Sequence, residues 1–131
     1  MIRDYQVCAL VPARGGSKGI PRKNLYELNE ISLVERSVRL ARRCAYVDRV
    51  FVSTDDAEIT ALANNLCAAT PEPRPADLAA DGARTIDTIR HLVEGGILSR
   101  DECILLLQPT TPLRTLSNLV AACEQLDRKS V

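Results

Sequence analysis

The chain has 131 residues, 46% of them apolar, and its 17 lysines and arginines balance 17 aspartates and glutamates. That length and composition supply one hydrophobic core and therefore a single domain, residues 1–131. Balanced charge argues against general nucleic-acid or membrane-surface binding, and no apolar run reaches the roughly 18 to 20 residues of a membrane span.

The first elements follow from local pattern. Val7 to Val11 is a short apolar run that reads as a buried strand, with no signal-peptide cleavage pattern after it. Ser32 and Glu35 make a capping box. The helix it opens carries Val34, Val38, Ala41 and Ala45 on one stripe, and Arg36, Arg39, Arg42 and Arg43 belong to its wet face. Val50-Phe-Val52 is a β-rich run. Asp55 with Glu58 forms a second box, opening a helix with the stripe Ile59, Leu62, Ala63 and Leu66.

Residues 70–84 hold Pro71, Pro73, Pro75 and Gly82, an irregular excursion. A shorter helix with Ile86, Ile89 and Val93 inward stops at Gly95-Gly96. Cys103 to Leu107 is continuously apolar, the pattern of an interior strand. From Ser117 to Asp127 a last helix places Leu119, Val120, Cys123 and Leu126 on one face. Alternating strands and helices with apolar strands predict an α/β fold: three α/β/α layers around a mostly parallel, Rossmann-like sheet. Ligands of such sheets lie outside the carboxyl ends of the strands. The loops after Val11, Val52 and Leu107 should therefore share one site.

The five cysteines, Cys8, Cys44, Cys67, Cys103 and Cys123, are odd in number, widely spaced and lack a C-x-x-C pair. They read as reduced, small hydrophobes of a cytoplasmic protein. His91, the single histidine, has no partner at a metal-ligand spacing.

The most informative stretch is Val11-Pro-Ala-Arg-Gly-Gly-Ser-Lys-Gly-Ile-Pro-Arg-Lys-Asn24. Arg14, Lys18, Arg22 and Lys23 fall close together without a carboxylate among them, directly after a core strand. Gly15, Gly16 and Gly19 let backbone amides approach a ligand. Amide donors and cations together suit a polyphosphate better than they suit a solvated loop. The Walker spacing is absent, because Lys18 precedes Gly19 and no hydroxyl follows a Gly-Lys pair. The dinucleotide G-x-G-x-x-G is absent too, and no acid is expected at the end of the second strand as a ribose ligand.

This stretch resembles the nucleotide-binding loop of the acylneuraminate cytidylyltransferases, the CMP–sialic acid synthetases. Ile31-Ser-Leu-Val34, Asp48 to Asp55, Arg74-Pro-Ala-Asp-Leu78 and Leu106-Leu-Gln-Pro-Thr-Thr-Pro-Leu-Arg-Thr115 look like further blocks of that family, in its order, over nearly the whole chain. The resemblance implies a nucleotide-diphospho-sugar transferase type of fold. It implies transfer of CMP from CTP to a nonulosonic sugar acid such as N-acetylneuraminate, with release of pyrophosphate. Lys23 and Arg14 would be the catalytic cations on the triphosphate, with Asn24 beside them, Lys18 at the pyrophosphate end and Gly15 and Gly16 as backbone donors. Arg74, Thr85 and Gln108 would read the nucleoside.

Each of these residues also has a plainer reading. Lys23 could simply face solvent, Asn24 could satisfy its own turn, Thr85 could be a helix N-cap and Gln108 could bond only loop backbone. Family members run to over two hundred residues, so the chain is expected to be an N-terminal portion of an incomplete sheet, turning over poorly alone. The resemblance puts the magnesium carboxylates and the homodimer contacts outside it; no metal ligand is assigned here. Octulosonate enzymes have a similar loop but lack the Gly15-Gly16-Ser17-Lys18 spelling. A non-catalytic CTP- or CMP-binding module is the alternative.

Overall fold

The computed structural model describes residues 1–2, 4–13, 27–28, 31–66, 85–109 and 115–129. Five strands and four helices occupy them. Strand β1 is Val7–Pro12, β2 Glu27–Leu28, β3 Ile31–Ser32, β4 Arg49–Ser53 and β5 Cys103–Leu106. Helix α1 is Leu33–Arg43, α2 Ala57–Asn65, α3 Thr85–Glu94 and α4 Leu116–Lys129. The main sheet has the order β4-β1-β5, and both pairings are parallel. A two-stranded antiparallel ribbon, β2 with β3, precedes α1.

Strand β1 is central, and its alternation sorts the core into two layers. Val7, Ala9 and Val11, with Val50 and Val52 of β4, pack beneath Val34, Val38 and Ala41 of α1. Ile59 and Ala63 of α2 and Leu119 and Cys123 of α4 complete that layer. Cys8, Leu10 and Phe51 face the other way, onto Leu92, Leu98, Ile89 and Val93 around α3. The sheet is thus covered on both faces, as its unbroken apolar strands require.

Helix ends follow side-chain chemistry. Ser32 Oγ accepts from Glu35 N at 3.1 Å and opens α1, while the Glu35 carboxylate pairs with Arg39 one turn on. Cys44 closes that helix, its N–H donating to Ala41 O, so Cys44 and Ala45 lie beyond the helix rather than on its stripe. Helix α3 ends at Gly96, whose φ of 78° is a left-handed conformation that a side chain would strain. Ile97 and Leu98 then fold back to the carbonyl of Leu92.

Three further expectations change. Asp56, not Asp55, caps α2, its carboxylate accepting from Glu58 N at 2.8 Å and Ile59 N at 3.1 Å. Ile86 is 49% exposed; Ile89 and Val93 of its expected stripe do pack inward, but with Leu92 and buried Thr88 in place of Ile86. Leu126 is 46% exposed, one turn beyond the part of α4 that reaches the sheet. Strand β5 pairs with β1 alone among the described residues and is only partly buried, the open edge expected of an incomplete sheet.

Candidate functional site

The carboxyl ends of the three parallel strands lie side by side. Pro12 stands opposite Ser53 in the register, and Ala13 N donates to Ser53 O at 2.8 Å. On the other flank Leu10 stands opposite Leu106, and Leu107 N donates to Leu10 O at 2.9 Å. The exit of β1 is therefore held between Ser53-Thr54 on one side and Leu107-Gln108 on the other. The expected gathering of these three loop starts at one sheet edge is what the register produces.

Each flank is rigid. Ser53 and Thr54 are buried, and Thr54 Oγ1 accepts from Asp56 N at 3.0 Å, fixing the turn before α2. Asp55, between them and the cap, is exposed. Asp55 follows the last residue of β4, the direct neighbour of β1, by two. Gln108 is exposed between buried Leu107 and buried Pro109. Its backbone is thus fixed by the strand end while its amide is presented outward.

Thr85 is the first residue of α3. That helix returns through 95–102 to the amino end of β5, so its own amino end is directed toward the carboxyl edge of the sheet. Arg14, Gly15, Gly16, Lys18, Lys23, Asn24 and Arg74 lie outside the described residues. The basic stretch starts, in sequence, one residue after Ala13.

The opposite edge carries a different kind of cluster. Arg49 Nε donates to Glu102 Oε2 at 2.9 Å and a second guanidinium nitrogen to Oε1, while the guanidinium lies 4.7 Å from the Phe51 ring centre. Glu102 Oε1 also accepts from Ser99 N at 2.8 Å. These contacts line an open depression of about 590 Å³ with Asp4, Tyr5 and Asp101. They tie the first residue of β4 to the turn before β5, which is a structural duty, and they sit at the amino edge where such sheets do not bind substrate.

Among the described residues, Cys8 and Cys123 are protonated core thiols. Burial pushes the Cys8 thiol up to about 12, with Arg49 offsetting only part of it. Burial likewise raises Cys123 to about 11, with the Cys44 and Cys103 thiols beside it adding to the effect. Both keep their protons at neutral pH, and a thiol in that state is a poor nucleophile or metal ligand. Among the described residues no three of the histidine, cysteine, aspartate and glutamate side chains come together as a metal site. No helix among the described residues is long and apolar enough to cross a membrane.

Comparison with known proteins agrees with this geometry. The model of the family described as Cytidylyltransferase matches residues 8–130. N-acylneuraminate cytidylyltransferase of Escherichia coli is 32% identical over 117 residues, 89% of this chain and 27% of that protein. CMP-N,N'-diacetyllegionaminic acid synthase of Legionella pneumophila is 33% identical over 122 residues, 91% of this chain and 52% of that protein. The chain thus spans about half the length of these relatives, or less.

In three dimensions it overlays CMP:2-keto-3-deoxy-manno-octonic acid synthetase complexed with CTP with a TM-score of 0.78. The identity is 18%, and the overlay covers 95% of this chain and 48% of that one. A cytidylyltransferase from Leptospira borgpetersenii overlays with a TM-score of 0.72 at 16% identity, over 96% of this chain and 50% of its own. These overlays speak to the fold, and the sequence match speaks to descent. A central parallel strand that feeds a basic glycine stretch, flanked by two polar strand exits, is therefore the inherited frame of a family, and this chain belongs to the cytidylyltransferases.

Proposed function

We propose that this chain forms the CTP-binding part of a cytidylyltransferase that transfers CMP to a nonulosonic sugar acid, such as N-acetylneuraminate, and releases pyrophosphate. The anomeric hydroxyl oxygen bonds to the α-phosphorus, the bond from that phosphorus to the β-phosphate oxygen breaks, and the hydroxyl proton is lost. The observation that carries the reading is the exit of β1, tied to that of β4 through Ala13 N and to that of β5 through Leu10 O, with the acid-free basic stretch next in the sequence. The relatives named for acylneuraminate and legionaminate substrates support the class of sugar acid.

In this reading Lys23 and Arg14 stabilise the charge that builds on the phosphoryl oxygens, the largest service an enzyme can render such a transfer. Both side chains stay cationic near pH 7. Lys18 holds the pyrophosphate end, Gly15 and Gly16 supply amide donors, and Asn24 binds alongside. Arg74, Thr85 and Gln108 read the nucleoside; for Gln108, the rigid, outward-facing exit of β5 supports that role. Bound magnesium would neutralise triphosphate charge, and the resemblance puts its carboxylate ligands outside this chain. The same reading places the protein in the cytoplasm, with reduced thiols, and as a homodimer in its full-length form.

Titration calorimetry with CTP, ATP and GTP, on the unsubstituted chain and on Lys23→Ala, tests this. Preference for CTP, lost in the variant, is the expected result. Equal binding of all three nucleotides would refute the nucleoside-reading role, and unchanged affinity in Lys23→Ala would refute the role of the cation.

A further inference from the structure

Three elements each bring a thiol to one place in the core. Cys44 ends α1, Cys103 opens β5 and Cys123 lies midway along α4. Cys44 and Cys123 are each 3% exposed and belong to one packed cluster, against which the partly buried Cys103 rests. The Cys44 and Cys123 side chains hydrogen-bond to one another, and all three residues are free thiols. Cys8 packs in the other layer of the core, apart from them.

The two contacting thiols sit on unequal supports. Cys44 N–H donates to Ala41 O and its carbonyl accepts from Val47 N at 3.1 Å, so the turn that leaves α1 fixes its position. Helix α4 packs against α1 but is anchored lightly. Thr115 and Asn118 cap its start through reciprocal bonds, yet Leu119 and Cys123 are the buried residues among its described side chains. Ala121, Ala122, Glu124, Gln125 and Leu126 are exposed. An element with so little burial opens before the sheet does, and opening it uncovers both sulfurs.

Sulfurs in hydrogen-bonding contact have a short way to go to the bond of about 2.0 Å that oxidation makes. Among the described residues these thiols form no metal site. We infer that Cys44 and Cys123 form a reversible disulfide that staples α4 to the end of α1, a redox-sensitive lock on that helix. The oxidant is a small-molecule disulfide, such as oxidised glutathione. When α4 opens, the Cys123 thiolate attacks one of its sulfurs and expels a glutathione thiolate. The Cys44 thiolate then attacks the Cys123 sulfur of this mixed disulfide, forming the protein S–S bond and expelling the second glutathione thiolate. The two cysteines lose two electrons and two protons, and the small disulfide gains both as two thiols. The bridge restricts the unfolded chain and closes the opening through which it was made.

The test equilibrates the chain with oxidised or reduced glutathione, maps its disulfides by peptide mass spectrometry and melts both forms. A cross-linked Cys44–Cys123 peptide should form slowly, at the rate at which α4 opens, while Cys8 stays free. The oxidised form should melt about 10 °C higher, and the amides of α4 should exchange with deuterium more slowly. Dithiothreitol should reverse both changes. Cys44→Ala and Cys123→Ala should each show no rise on oxidation, whatever their own melting temperatures. Absence of the bridge after equilibration just below the melting transition would overturn the inference. So would a bridge between any other pair, a Cys44–Cys123 bridge that leaves the melting temperature unchanged, or a rise that persists in either variant.

Discussion

Replacing Arg49 by methionine tests how the amino ends of the strands are tied together. Arg49 reaches across to Glu102 through two guanidinium nitrogens and lies over Phe51. The pair is asymmetric: the Glu102 side chain is 5% exposed and that of Arg49 36%. Methionine keeps the apolar stem against the ring but leaves a buried carboxylate with the Ser99 N–H and no cation. Stripping one partner from a fully buried pair costs roughly 3–5 kcal/mol. The partial exposure of Arg49 lowers that to about 2–3 kcal/mol, since water already screens one side. In Glu102→Ala the guanidinium can turn into solvent, and the loss is smaller, about 1–2 kcal/mol. Urea unfolding of both variants and the double variant, at constant slope, gives the three values. The coupling between them should be about 1–3 kcal/mol. If Glu102→Ala costs as much as Arg49→Met, or the two losses simply add within about 0.5 kcal/mol, the argument from unequal burial is wrong.

Asp56→Ala, which removes the α2 cap, should lower stability by about 1 kcal/mol, as read by thermal melts. Acid titration should show a contribution from Asp48, which the Val7 N–H and, secondarily, the N-terminal ammonium hold below its ordinary value of 3.8. Because the folded value is the lower one, this stability is present above about pH 4 and drains away as pH falls through the folded value; Asp48→Asn should flatten that acid limb. Cys8 and Cys123, raised to about 12 and 11, should react with a disulfide reagent only as fast as the fold opens, and a rapid native reaction mapped to either would contradict their burial. Gln108→Ala should narrow the preference for CTP over ATP and GTP while leaving the melting temperature unchanged, as calorimetry and melts together would register.

Legibility varied with how local the signal was. The strand at Val7, the cap at Ser32 and the stripe of Val34, Val38 and Ala41 could be read directly, because each depends on neighbours a few residues away. The gathering of three loop starts at one edge was also accessible, since parallel strands of unbroken apolar character allow little else. Two adjacent aspartates defeated the reading of α2: both can cap, and the choice turns on where Thr54 Oγ1 directs the Asp56 N–H. The apolar stripe of Ile86, Ile89 and Val93 left Thr88 out, yet Thr88 is buried and Ile86 exposed. The Arg49–Glu102 clip joins residues far apart in sequence and leaves no local trace. For the basic stretch the sequence remains the stronger witness.

The central position of β1 bears on how the chain is made. Of the three parallel strands, β1 is made first and is flanked by both others, and its pairing of Val7 with Cys103 must wait until the intervening polypeptide has emerged. Early in synthesis β1 can zip only against β4, with α1 and α2 closing over one side. Its second side, where Leu10 awaits Leu92 and Leu98, stays bare through that interval. A nascent chain built this way offers a natural target for a chaperone, and closing such distant partners is a slow step.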